Sequence, residues 1–281
     1  MRTTYLLLTA ALTGCNAATQ QPCFADKGPT TIQVNQQATT LKDRFGLPEG
    51  FQRIATNGFG EYLRSLPLKK YGSYVSYYNG EVKTKPNVYA AVVNMDIGTK
   101  DLQQCADAVM RLRGEYLFHS NQADKIHFNF TSGFVAAYSK WREGYLISII
   151  GNNVQWKLAA QPDASYLGFR NFMDVVFSYA GTLSLSRELR SVSISDMQIG
   201  DVLIRGGSPG HAVIVVDMAE DKQGHKMYML AQSYMPAQDI QILMNPNNKD
   251  LSPWYELNAA QNEIVTPEWD FTINDLKRFK D

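Results

Sequence analysis

The chain has 281 residues, 44% hydrophobic and 11% aromatic, a globular composition with enough length for one large domain or two small ones. Lys plus Arg and Asp plus Glu balance at 27 each, so no net field draws in nucleic acid, which is excluded as an expected partner. No internal repeat or charge block interrupts the sequence after the first thirty residues.

The opening "MRTTYLLLTAALTGC" carries one positive charge at Arg2, an apolar run from Tyr5 to Leu12, and then Thr13-Gly14-Cys15. The run is too short to span a bilayer and reads as a secretory signal over residues 1–14. Small residues leading into Cys15 resemble a bacterial lipoprotein signal. That resemblance implies that Cys15 becomes a lipidated N-terminus holding the protein to a membrane, with the outer membrane facing the periplasm as the expected place. An ordinary signal peptide that happens to contain a cysteine is the plainer alternative. Residues 15–30 are polar and turn-rich, as expected for a tether, and leave 31–281 as a single α+β domain.

Of the three cysteines, lipid would consume Cys15, leaving Cys23 in the tether and Cys105 in the body. An oxidising compartment makes a Cys23–Cys105 disulfide one reading. A free thiol available for chemistry is the other.

Residues 71–78, "YGSYVSYY", alternate as a strand does. The β-branched run Asn87 to Ile97 reads as a buried strand. Downstream, Asp101 followed by Gln104 looks like a capping-box start, with Thr99 or Asp101 as the cap, and Leu102, Ala106, Val109, Leu112, Tyr116 and Leu117 keep a helical period. Cys105 therefore falls in the first turn or so, where amide N–H groups and the dipole favour a thiolate. The bland alternative is a buried cysteine on a helix face. A strand "KIHFNF" and a helix from about Ala164 to Tyr179 follow. His127 is expected to face solvent from that strand, and His119 to sit at a helix C-terminus.

In "SDMQIGDVLIRGGSPGHAVIVVDMA", a turn at Gly200-Asp201, a strand from Val202, a glycine turn and then His211 open a second apolar strand. "EDKQGHK" reads as a hairpin loop centred near Lys222, and "MYMLAQSYM" as the returning strand. The hairpin brings His211 opposite Gln232 or Ser233. Direct pairing with Gln232 puts the two side chains on one face, and a slip by one turns the amide away. An amide on the ring would fix its tautomer, and an amide satisfying a sheet edge is the alternative.

A cysteine at a helix start, a "GD" strand, a "GH"-led apolar strand and a polar residue on the next strand resemble the papain-like cell-wall peptidases and amidases of the NlpC and CHAP type. The resemblance implies a central antiparallel sheet packed on the cysteine helix, with Cys105 as nucleophile, His211 as base and Gln232 as orienting residue. It further implies hydrolysis of a peptidoglycan stem peptide or another envelope amide. The chain departs from those families in Ala106-Asp107-Ala108 after the cysteine and in a longer stretch from Cys105 to His211, so insertions are expected. The runs "DLQQCADAVMRLRGEYL", "PGHAVIVVDMA", "LAQSYMPAQDIQIL", "SPWY" and "TPEWDF" look like a numbered family of Bacteroidetes envelope proteins, domain of unknown function 4846, which implies no mechanism.

His119, His127, His211 and His225 show no zinc spacing and the glycines form no phosphate loop, so no metal, nucleotide or other cofactor is expected. Trp254 and Trp269 lie in turn-rich C-terminal loops, where packing onto the core or lining a cleft are both open. Two functions follow: a cysteine hydrolase of the envelope, or a non-catalytic lipoprotein that binds through the same cleft or its aromatic loops.

Overall fold

The His211–Asp221 strand is the axis of the molecule, and it is buried for nine of its eleven residues. Both of its faces are covered. Ala212, Ile214 and Val216 join the core formed with the Cys105–His119 helix, whereas Val213 and Val215 pack with Leu203, Leu230, Leu243 and Phe271 on the other side. A strand sandwiched this way loses polar alternation, which is why its sequence reads as one apolar run. The computed structural model describes residues 31–280. The expected signal, Cys15 and the tether with Cys23 lie outside them.

The strand is the centre of a nine-stranded sheet in the order Tyr89–Val92, Gln241–Leu243, Lys226–Gln232, His211–Asp221, Val202–Arg205, Leu276–Arg278, Arg190–Ser191. Phe51–Arg53 pairs with the far end of the His211 strand, and Tyr255–Glu256 with the start of the Lys226 strand. Every pairing is antiparallel. The class is α+β with a large antiparallel sheet.

The stretch between Cys105 and the sheet's centre contributes two small ribbons, His127–Asn129 with Val135–Ala137 and Tyr145–Ile150 with Asn153–Leu158. It also contributes a helix, Tyr166–Tyr179, capped by Ser165, whose hydroxyl accepts the Gly168 N–H at 3.1 Å. That helix lies close against the Cys105 helix: a Cβ on Gly114 would stand 3.2 Å from Phe169 and 3.4 Å from the Met173 sulfur. Among the described residues no helix is long and apolar enough to cross a membrane.

The tyrosine-rich segment at 71–78 departs from the strand its alternation predicts. It makes only isolated bridges, Ser76 with Val82 and Tyr77 with Gln238. Gly72 and Gly80, at φ of +79° and +86°, turn the chain at either end and leave too few residues for a ladder.

The far end of the central strand is fixed by charge. Asp217, fully buried, accepts from Arg53 Nε at 2.7 Å and Arg64 Nε at 2.6 Å, and from the Met218 N–H at 2.9 Å. The two guanidiniums also hold carbonyls of Lys42, Phe45, Ile54 and Met218, which ties the N-terminal segment to the sheet. Removing one partner of such a cluster leaves buried charge uncompensated. Asp217→Asn is expected to lower the unfolding free energy by about 3–5 kcal/mol, read as a shift in denaturant midpoint with little change in slope.

Candidate functional site

Cys105 is the first residue of its helix, with Gln104 as the N-cap. The cap is thus neither Thr99 nor Asp101. Asp107, at the third helical position, accepts the Gln104 N–H through Oδ2 at 3.0 Å, and Asp101 instead accepts from the Gln104 side chain at 3.1 Å and the Ala237 N–H at 2.6 Å. Asp101 serves as a loop anchor, holding the segment after the Gln232 strand against the start of the helix. Cys105 is a free, buried thiol.

His211 opens its strand opposite Arg205 and is 1% exposed. Its Nε2 lies 2.8 Å from Oε1 of Gln232, the last residue of the neighbouring strand. The two residues are not directly paired. After Met229 the register shifts by one, giving Leu230 with Val215 and Ala231 with Ile214, which sets Gln232 opposite Val213 and diagonal to His211. The Gln232 strand itself keeps strict alternation, with Met227, Met229 and Ala231 on the helix side and Tyr228 and Leu230 on the other. The extra residue is Val216 in the His211 strand. Without it the earlier register, Met229 with Asp217, would pair Gln232 with Ile214 and turn His211 to the helix side of the sheet.

The bulge thus sets His211 beside a polar row at one end of the far face. Gln232 pairs with Gln241, Gln241 donates to Gln238 Oε1 at 3.2 Å, and Lys83 Nζ reaches the same oxygen at 3.0 Å. Gln232 Nε2 donates to Glu268 Oε2 at 2.8 Å, and Glu268 is paired with Lys83 at 2.5 Å and Lys85 at 3.4 Å. The His211 ring is walled by Tyr234, Trp269 and Phe271, with centroids at 4.8, 5.5 and 5.9 Å.

The imidazole belongs to the face turned away from the Cys105 helix, and the link to the thiol runs through the backbone of Ala212 and through Tyr234 at the end of the sheet. The Gln232 strand stops there, and Ser233 bends to the helix side, where its hydroxyl donates to Gln103 and Gln238 carbonyls at 3.1 and 2.7 Å. The backbone amide of Ala212, the residue after His211, favours the charged form of the Cys105 sulfur alongside the amides of Cys105 and Ala106. Tyr234 joins the two, since its ring packs on His211 and its phenol, raised first by burial and then by Glu268, is raised also by Cys105. Among the described residues no hydrogen bond links thiol and imidazole.

The chain matches the family described as Domain of unknown function (4846) over residues 41–278. It belongs to that family. No curated protein and no solved structure matches it. The family region contains Cys105, His211, Gln232 and Glu268 and leaves Cys15 outside.

The thiol does not rest as the thiolate that a helix start favours. Burial, followed by the Asp107 carboxyl, pushes it up to about 11, against the lowering by the three amides. Burial also drives His211 down to about 4, with Gln232 and Glu268 opposing and Lys83 assisting. At neutral pH the pair is a thiol and a neutral imidazole. Asp107, whose Oδ1 is buried without a partner, is raised by burial to about 8 and keeps its proton as well.

The remaining histidines stand apart from the site. His119, exposed at the helix end, meets Glu115 at 3.2 Å, His127 meets the Lys125 carbonyl at 2.9 Å, and His225 meets Asp221 in the hairpin loop at 2.7 Å. Trp254 is core, donating to the Gly46 carbonyl at 2.9 Å. Glu268, Lys83 and Asp107 escaped the sequence reading. "TPEWDF" draws attention to its tryptophan, and nothing local marks its glutamate as a partner of Gln232.

Asp107 has a folded-state value above its unfolded one, so its contribution is present at low pH and is lost as pH rises from about 4 towards about 8. Asp107→Asn keeps an acceptor for Gln104 and removes that dependence. The stability of the variant relative to wild type is expected to climb through that window and level off above it, in urea melts at several pH values.

Proposed function

We propose that the protein is a cysteine hydrolase of the cell envelope, papain-like in its site, that cleaves a peptide or amide bond of peptidoglycan or another envelope substrate. The observation that carries the reading is the 2.8 Å bond from His211 Nε2 to Gln232 Oε1. The oxygen accepts, so Nε2 carries the proton and Nδ1 is left as the base. The start of the Cys105 helix at the neighbouring Ala212 adds a nucleophile to that base.

In this mechanism Nδ1 takes the thiol proton as Sγ forms a bond to the substrate carbonyl carbon. The Cys105 and Ala106 N–H groups donate to the oxyanion. The C–N bond then breaks and the Nδ1 proton goes to the leaving nitrogen, giving a thioester. Water, deprotonated by the same nitrogen, attacks the thioester carbon; the product acid departs and the thiol is restored. Because the pair rests uncharged, proton transfer accompanies attack. The absent thiol–imidazole bond forms with substrate in place, as is common for sites that tighten on binding.

The reading extends to an envelope lipoprotein of Bacteroidetes type, anchored through Cys15 in the outer membrane and facing the periplasm, where peptidoglycan is within reach. The burial of Cys105 and His211 is the observation that favours the rival reading, a non-catalytic lipoprotein in which the pair is core.

The test is release of peptides from peptidoglycan fragments, followed by mass spectrometry, with thioester trapping at Cys105. Cys105→Ala is expected to abolish release, His211→Asn to lower it at least 100-fold, and Gln232→Ala about 10-fold to 100-fold, in keeping with the usual worth of a general base. Unchanged release by Cys105→Ala, or no thioester with any envelope amide and a Cys105 that alkylates no faster than a free thiol at any pH, would sink the reading.

A further inference from the structure

We propose that Glu268, held by Lys83 and Lys85, is a positioning residue that sets the tautomer of His211 through the Gln232 side chain. The amide of Gln232 has two orientations, and which one it takes decides whether an acceptor or a donor faces the ring. A carboxylate only accepts, so the 2.8 Å contact with Glu268 Oε2 demands the Gln232 NH₂ and leaves Oε1 for the ring. Oε1 in turn requires a proton on Nε2.

The carboxylate itself has no freedom to turn away. Its side chain is 7% exposed, Lys83 meets Oε2 and Lys85 meets Oε1. Lys83, 3% exposed, is fixed at its other side by Gln238 Oε1 and lies over the Tyr234 ring at 5.6 Å. The turn that delivers Glu268 is closed by Thr266 and Trp269: the Trp269 N–H donates to Thr266 Oγ1 at 3.1 Å and the Thr266 hydroxyl to the Trp269 carbonyl at 2.5 Å. One short segment, residues 266–271, therefore supplies both the orienting carboxylate and two of the aromatic walls.

Removing the carboxylate does more than release the amide. It leaves the Lys83 ammonium beside Gln232, and a cation attracts the amide oxygen. Gln232 would then turn Oε1 to Lys83 and its NH₂ to the ring, so that the ring nitrogen facing it must accept and the proton moves to Nδ1. In that tautomer the nitrogen needed as base is occupied. The catalytic consequence rests on the hydrolase reading; the tautomer does not.

The experiment is long-range ¹H–¹⁵N correlation on the full chain with ¹⁵N-labelled histidine, which gives four rings to assign, His211 being identified from His211→Asn. At pH 7 the wild type is expected to show His211 neutral and protonated at Nε2 alone. Glu268→Leu is expected to show it protonated at Nδ1, and Glu268→Gln, which keeps an acceptor, to restore Nε2. Thiol alkylation and peptide release should fall at least 10-fold in Glu268→Leu and recover in Glu268→Gln. A folded Glu268→Leu that keeps Nε2 protonated overturns the proposal. Should that variant fail to fold, Lys83→Met/Glu268→Leu removes the buried charge as well. A mixture of both tautomers then supports the proposal and an unchanged Nε2 tautomer overturns it. Loss of peptide release with no tautomer change would count against Glu268 alone, whereas a tautomer switch in a protein that cleaves nothing would count against the hydrolase.

Discussion

The bulge at Val216, opposite Met229 and Leu230, decides which side of the sheet His211 serves, and the site follows from that one displaced register. Antiparallel pairing alternates faces with a strict period of two, so a single extra residue moves every later side chain across. Here the shift brings His211 onto the face of Gln232, which pairs with Gln241 on the next strand. The same face, over the rest of its extent, is Val213, Val215, Leu230 and Leu243. A polar row at one end of an apolar face is expensive unless each member finds a partner. Glu268 and Lys83 supply partners from segments far apart in the chain and Gln238 from the loop after the strand, while Gln241 Oε1 is left without one.

Much of this architecture was legible in the sequence because it is carried by local signals. The glycine turn before His211, the hairpin at Asp221–His225 and the apolar strands on either side all announce themselves by composition and period, and the structure has strands at Val202–Arg205, His211–Asp221 and Lys226–Gln232. The helical period after Gln104 likewise marks the helix and puts Cys105 at its start. Gln232 was within reach because a hairpin with its loop centred near Lys222 restricts what faces His211 to Gln232 or Ser233. Face assignment was beyond reach, since a bulge inside an apolar run leaves no trace in the pattern when both faces are buried. Glu268 and Lys83 were invisible for a different reason: their meeting with Gln232 depends on long-range closure of the chain, and a charged residue in a turn-rich loop looks like solvated surface. The tyrosine alternation at 71–78 misled because period two is necessary for a strand but not sufficient; two positive-φ glycines outweigh it.

The helix start at Cys105 illustrates how burial outweighs dipole. Amides of Cys105, Ala106 and Ala212 all favour a thiolate, yet the thiol is pushed up to about 11 because the sulfur is shut away from water and Asp107 lies nearby. Exposed helix-start cysteines gain the dipole without this cost. The arithmetic of position alone, cysteine at the first turn, therefore predicts the direction of one contribution and misses the larger one.

Charge in this region is segregated. The ions, Glu268 with Lys83 and Lys85, form a closed cluster on the outer side of Gln232, while the groups on its inner side, His211, Cys105 and Asp107, are each driven towards the neutral form by burial. Gln232 is the insulator between them, transmitting orientation without charge. His211, depressed to about 4, adds stability that is complete above its unfolded range near 6.5 and lost as pH falls through 4. Asp107 has the opposite sign, its contribution fading as pH rises towards 8. Between about 4 and 8 these three groups carry no charge, so sulfur and imidazole do not rest as an ion pair. A buried, neutral thiol is costly to ionise, and the amides of Cys105, Ala106 and Ala212 offset part of that cost.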